Sequence, residues 1–281
     1  MEKLWRCVWR FSIGLLICLI FECSAPREIA ASSFALNFTA DGQSAIVPDS
    51  NSLDITGPLT LEAWVRPNSG ILSRGYSSIV SKQESGTGYM LATNIEGPQH
   101  RFKAEVHGDQ VTSASQPVIG VWQHVAAVWD GQLKIYVNGQ LDGVLTTAAP
   151  LANAFPLWIG SSPFGADTNW RGAIDDVRLW SVARSQADIQ RDMFYSLNGN
   201  EVGLRGYWSF DEGSGQTFAD LTGQNPGFLG TSTLPDGSDP AWVEGVQLLP
   251  APEPSSLILT VFGSVAVAFL RLRNNLLPQR E

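Results

Sequence analysis

Along residues 101–107 (RFKAEVH) apolar and polar side chains take turns, with Phe102, Ala104 and Val106 on one side and Arg101, Lys103, Glu105 and His107 on the other. A period of two sends successive side chains to opposite faces of an extended chain, so this segment is predicted as a β-strand with one buried face. Leu59, Leu61, Ala63 and Val65 repeat the pattern against Thr60, Glu62 and Arg66, with Trp64 as an apolar member of the second face. Such faces need a second layer to cover them, which predicts an all-β, two-sheet antiparallel sandwich. Residues 123–129 (QHVAAVW) are nearly all apolar. Asp130-Gly131 then turns the chain into Leu133, Ile135 and Val137, and Asn138-Gly139 turns it again into residues 140–145. Asp-Gly and Asn-Gly supply the positive φ angles of tight hairpin turns, so these three strands form a meander. One short helix is predicted where Ser185 precedes Asp188 by three residues, a capping-box spacing with Asp in place of Glu or Gln. Ile189 and Met193 would face inward from it.

Composition narrows what the sandwich can do. The 281 residues include 27 Gly and 16 Pro, with 10% aromatics, which describes a folded, turn-rich chain with material for a core. Its three cysteines, Cys7, Cys18 and Cys23, lie within the first 23 residues, so the body has no thiol or disulfide chemistry. Between residues 32 and 250 there are 11 Lys and Arg against 22 Asp and Glu. An acidic surface repels phosphate backbones, which excludes nucleic acid as a partner.

The two ends read as addresses. Lys3, Arg6 and Arg10 precede the apolar run 11–21 (FSIGLLICLIF), the order of a secretory signal over residues 1–31. Cleavage is offered near Ala25 or Ala30-Ala31. A lipoprotein signal ending at Cys23 is the weaker alternative, because Phe21 and Glu22 stand where small residues are wanted. The sandwich is assigned to residues 33–245 and a linker to 246–256. Residues 257–281 follow as a short transmembrane helix, 257–270, and a basic tail with Arg271 and Arg273. Fourteen apolar residues are fewer than the roughly 20 of an ordinary spanning helix. The Pro252-Glu253-Pro254 triplet, short apolar helix and basic patch together resemble the PEP-CTERM sorting signal of Gram-negative bacteria. That resemblance implies processing by an exosortase, with the domain displayed outside; a plain C-terminal membrane anchor is the other reading.

Several segments of the body fall in one order: ALNFTADGQSAIVP (35–48), SLDITGPLTLEAWVRP (52–67), SIVSK (78–82) and GVWQHVAAVWDGQLKIYVNGQ (120–140). PLWIG (156–160), RGAIDDVRLWSVARSQADI (171–189) and EVGLRGYWSFDEGSGQTFADLTGQN (201–225) follow. The set resembles the laminin-G-like jellyroll family within the concanavalin A-like lectin and glucanase sandwiches, which also includes the pentraxins. The resemblance covers residues 33–245 and implies a jellyroll that binds glycan or protein. The first turn departs from it, with Phe-Thr-Ala-Asp-Gly where the family commonly has Phe-Asp-Gly.

Glucanases of this broad fold carry carboxylates at alternate strand positions, so that acid and nucleophile meet about 5 Å apart. No such spacing occurs here. Glu62 stands alone, and Asp175 and Asp176, being adjacent, should project to opposite faces. His100 and His107 should point to different faces of their strand, and His124 reads as a structural residue. If its strand runs straight, Asp175 shares a face with Val177 and Leu179 and needs a partner for its charge. Calcium is one candidate and backbone hydrogen bonds are the other. In related jellyrolls a calcium ties an early turn to an acidic late strand, which the resemblance maps onto Asp41 and Asp175. For a ligand, the loop GADTNW offers Trp170 beside Asp167 and Asn169, weighed against plain packing of the Trp. The expected function is a non-catalytic, exported binding module for carbohydrate or an extracellular protein partner. A structural matrix protein is the first alternative and a polysaccharide-active enzyme the second.

Overall fold

The computed structural model describes residues 33–251 apart from residues 74, 85, 166 and 167. The signal, Pro-Glu-Pro and apolar-tail segments, and Asp167 with them, lie outside the described residues. Among the described residues no helix is long and apolar enough to cross a membrane.

The alternating segments form two eight-stranded antiparallel sheets. The first is built on β3 (Leu59–Pro67) and β12 (Gly172–Trp180). Beside β3 the predicted meander is present as β8 (Gln123–Trp129), β9 (Gln132–Val137) and β10 (Gln140–Thr146). Asn138 (φ 49°) and Gly139 (φ 72°) make its second turn, as Asn-Gly hairpins require. Beyond β12 lie β1 (Phe34–Phe38) and β16 (Ala241–Glu244), with β13 (Leu204–Trp208) on the other half of β12. The second sheet begins with β14 (Thr217–Phe218), β15 (Gly227–Leu229), β2 (Ala45–Val47) and β11 (Leu157–Ile159). It continues through β4 (Tyr76–Glu84), β5 (Thr87–Glu96), β6 (Gln99–Val106) and β7 (Asp109–Thr112).

The core lies between the sheets. Leu61, Ala63 and Val65 of β3 face it, as do Phe102, Ala104 and Val106 of β6, as their spacing predicts. Burying each large apolar side chain contributes about 1.5–3 kcal/mol. Both faces of β3 are buried, however, because the segment 181–199 covers the outside of the first sheet. Within it α1 (Gln186–Asp192) starts at the predicted capping box: Ser185 Oγ accepts from Asp188 N, and Asp188 accepts from Ser185 N. Ile189 and Met193 are buried beneath it.

Under this cover a polar layer is sealed in. Glu62 accepts from Trp180 Nε1 at 2.9 Å and faces Arg184 at 3.5 Å and His124 at 3.6 Å. Arg184 pairs with Asp192 and stacks 4.1 Å over Trp180. Trp64 donates to Met193 O and meets His124 edge-on at 5.4 Å. Glu62 has no carboxylate beside it on its strand, but its charge is not bare: Arg184 faces both Glu62 and Asp192, so the charges of the layer are countered, as burial demands.

The residues assigned to a linker from 246 onward are hydrogen-bonded into the domain as far as Leu249. Val246 N donates to Asp175 Oδ2, and Leu249 exchanges backbone bonds with Phe194 and Ser196.

Candidate functional site

β12 does not run straight. Asp175 lies opposite Trp64 and Arg178 opposite Glu62, so three steps on β12 match two on β3. This is a β-bulge, and its extra residue, Asp176, takes φ +47°, a left-handed conformation rare for a residue with a Cβ. The bulge resets the alternation. Ile174, Val177 and Leu179 face the core, while Asp175 is turned to the outer side, opposite Trp64. Two expectations fall together: Asp175 does not share a face with Val177 and Leu179, and Asp175 and Asp176 do not point to opposite faces.

Both oxygens of Asp175 are held by backbone donors, Oδ1 by Asp176 N and Oδ2 by Val246 N, each at 2.8 Å. Asp176 Oδ1 accepts from Tyr207 Oη at 2.5 Å and from Arg178 at 3.2 Å. Burial pushes both carboxyls above the usual carboxylate range, and for Asp175 the neighbouring charge of Asp176 adds to the push. Arg178 works the other way on Asp176, holding its ionised form in place.

Asp176 is 4% exposed, and what it meets is a cavity of 440 Å³. The walls come from four stretches: Ser33, residues 196–198, Asp211, and residues 246–251. Asp211 Oδ1 accepts from Phe34 N at 3.2 Å, tying its turn to the start of β1, and Glu212 accepts from Ala219 N. Asp220 takes the backbone N–H groups of Tyr207, Thr222 and Asn225, likewise organising a turn. Asp176 Oδ2, Asp211 Oδ2, Ser196 Oγ and the side-chain amide of Asn198 have no hydrogen-bond partner among the described residues. Leu197, Val246, Leu248 and Pro250 supply apolar wall.

The residues singled out in the sequence lie elsewhere. Asp41, 52% exposed on its side chain, pairs with Arg171. Arg171 precedes Asp175 by four strand positions, about 13 Å along the chain at roughly 3.3 Å per residue. Asp41 and Asp175 are therefore not brought together, and with both Asp175 oxygens committed to N–H groups the pair does not fit one shared calcium ion. Trp170, expected at a loop tip, is 0% exposed and packs in the core. Asn169 is also fully buried; it donates to Gln43 O and accepts from Gly42 N at 3.0 Å, tying the loop to the first turn. Sequence reading missed Asp176, Ser196 and Asn198. The one signal for the first was an Asp-Asp pair inside an apolar strand.

A laminin-G family model described as Concanavalin A-like lectin/glucanases superfamily matches residues 39–190, more than half the chain. The fold and this match place the chain in one class, and it belongs to that superfamily. Among solved structures it is similar to a candidate carbohydrate binding protein from Bacteroides ovatus, with a TM-score of 0.62 and 19% identity, covering 78% of this chain and 62% of that one. A heptameric SAP-like pentraxin from Limulus polyphemus gives a TM-score of 0.51 and 17% identity, covering 73% of this chain and 97% of that one. Human pappalysin-1 is 27% identical over 192 residues, which is 60% of this chain and 12% of pappalysin-1. The match thus spans a small part of that larger protein.

Proposed function

We propose that the chain is an exported, surface-associated module that binds carbohydrate without chemistry, with the cavity beside Asp176 as its sugar site. The cavity carries this reading. Its 440 Å³ falls in the range of about 300–1,000 Å³ typical of small-ligand sites. Carboxylate, hydroxyl and amide groups with unused bonding capacity converge in it, and aliphatic walls suit the C–H face of a pyranose ring. Strain stored at Asp176 is of the kind that collects at functional sites, about 1–3 kcal/mol for such a backbone. Membership in a superfamily of lectins and glucanases, and likeness in fold to a candidate carbohydrate binding protein, support the ligand class.

Against catalysis, Asp175 has both oxygens bound to backbone N–H and Asp176 has one fixed by Tyr207 and Arg178. A general acid must instead reach the bond it protonates. Export rests on residues 1–31 and on the resemblance of residues 252–281 to a sorting signal. Together these support a place at the cell envelope or outer surface of a Gram-negative bacterium, with an exosortase and the membrane as partners in sorting.

A glycan array probed with the chain and with Asn198→Ala tests the site. The expected result is a restricted set of bound glycans, each weakened in the variant. Uniform absence of binding would remove the lectin reading, and equal binding by the variant would move the site elsewhere. Deleting residues 252–281 should release the protein to the medium or periplasm; unchanged fractionation would count against the sorting reading.

A further inference from the structure

The cavity carries charge of one sign. Its ionisable lining groups are Asp176 and Asp211, with Asp175 directly behind. Arg178, the basic group bonded to Asp176, does not line the space. It is 1% exposed, and its guanidinium is spent on Asp176 Oδ1, Asp192 O and Tyr195 O. Two carboxyls thus line the site, with Asp175 and the Arg178 guanidinium behind them, and an oxygen of Asp176 and one of Asp211 remain without a donor.

Resting on the glycan-binding reading above, we propose that the cavity selects an amino sugar whose amine is free and protonated, with the ammonium held by Asp176 and Asp211. An ammonium brings three donors and no acceptor, the complement of carboxylate oxygens that lack donors. A hard metal ion fits less well, because both Asp175 oxygens already accept backbone N–H bonds. Among the described residues no three His, Cys, Asp or Glu side chains converge on one point. Ser196 and Asn198 remain for ring hydroxyls, and Leu197 and Leu248 for the ring face. Burial raises the carboxyls of Asp175 and Asp176, and a neighbouring positive charge relieves that cost. Uronic, sialic and sulfated sugars would set like charges against Asp176 and Asp211, which disfavours them. N-acetylation removes the charge that the site complements.

The test is calorimetric titration of the full chain near neutral pH with four oligosaccharides of equal length. They are a fully deacetylated glucosamine oligomer, its N-acetylated counterpart, a neutral glucan and a uronic acid oligomer. The deacetylated oligomer should bind at least about tenfold tighter than the other three, the size of one charge-assisted contact. Asp211→Asn, at an exposed position, should erase that preference while leaving the melting temperature close to the parent's. Asn198→Ala should weaken every sugar that binds without changing the order of preference. Equal or tighter binding of a neutral, acetylated or acidic oligomer overturns the amine selectivity and leaves the glycan reading standing. Preference retained in Asp211→Asn overturns the assignment to this cavity, and binding of none of the four overturns both readings.

Discussion

His124 tests how the layer beneath α1 is held together. Its ring is 1% exposed, edge-on to Trp64 and 3.6 Å from Glu62. Burial lowers its pKa from 6.5 to about 4; Glu62 opposes the drop, and Arg178 and Arg184 add to it. Between those pH values the unfolded chain takes up a proton that the folded protein refuses. The histidine's contribution to stability is therefore complete above pH 6.5 and lost as pH falls toward 4. At about 1.4 kcal/mol per tenfold, the full loss comes to about 3 kcal/mol. The assay is urea unfolding of the parent and of His124→Gln at about pH 7.5 and about pH 4.5. Asp175 and Asp176 titrate as well, and with the opposite sign, since raised carboxyl pKa values add stability as pH falls. The quantity to follow is accordingly the difference between parent and variant. It should move by about 2–3 kcal/mol against the parent on acidification. A difference constant to within about 0.5 kcal/mol between the two pH values would refute the buried, neutral histidine.

Three further outcomes follow from the geometry. Trp170→Ala should cost about 3–5 kcal/mol in unfolding free energy, as for a core Trp, while leaving sugar affinity unchanged in the folded fraction; a loss of binding without loss of stability would return Trp170 to the ligand. Asp41→Asn and Asp175→Asn should act additively on stability, with a coupling below about 0.5 kcal/mol in a double-mutant cycle, whereas a strong coupling that vanishes with chelator would restore a shared ion. Ser185→Ala should lower stability by about 1 kcal/mol through loss of the helix cap, and no change in the urea midpoint would mean the cap is idle.

Much of the fold was legible because side-chain alternation and turn chemistry are local. Phe102, Ala104 and Val106 needed only their spacing, and the meander needed only Asp-Gly and Asn-Gly. The face of Asp175 was not legible, because a bulge is a property of two strands: it appears only when β12 is laid against β3, and one extra residue inverts every later assignment. The loop-tip reading of Trp170 gave way to its packing alternative for a related reason. GADTNW has the composition of an exposed turn, yet Asn169 anchors the chain to Gln43 and Gly42, and that anchoring swings the next side chain into the core. The cavity escaped notice since its lining comes from five places in the sequence, Ser33, Asp176, residues 196–198, Asp211 and the stretch 246–251, that meet only in the folded chain.

The pairing of β1 with β16 sets Ser33 beside Gly245, joined by a 2.9 Å backbone bond. The two ends of the described domain therefore meet at one spot, and Val246, Leu248, Pro250 and Ala251, which lead away from it, also wall the cavity beside Asp176. A force applied to the chain beyond residue 251 would load the backbone bonds of Leu249 and then that of Val246 before it reached β16. The cavity wall and the outgoing chain share the same few residues, so such a force would deform the cavity before it reached the sandwich.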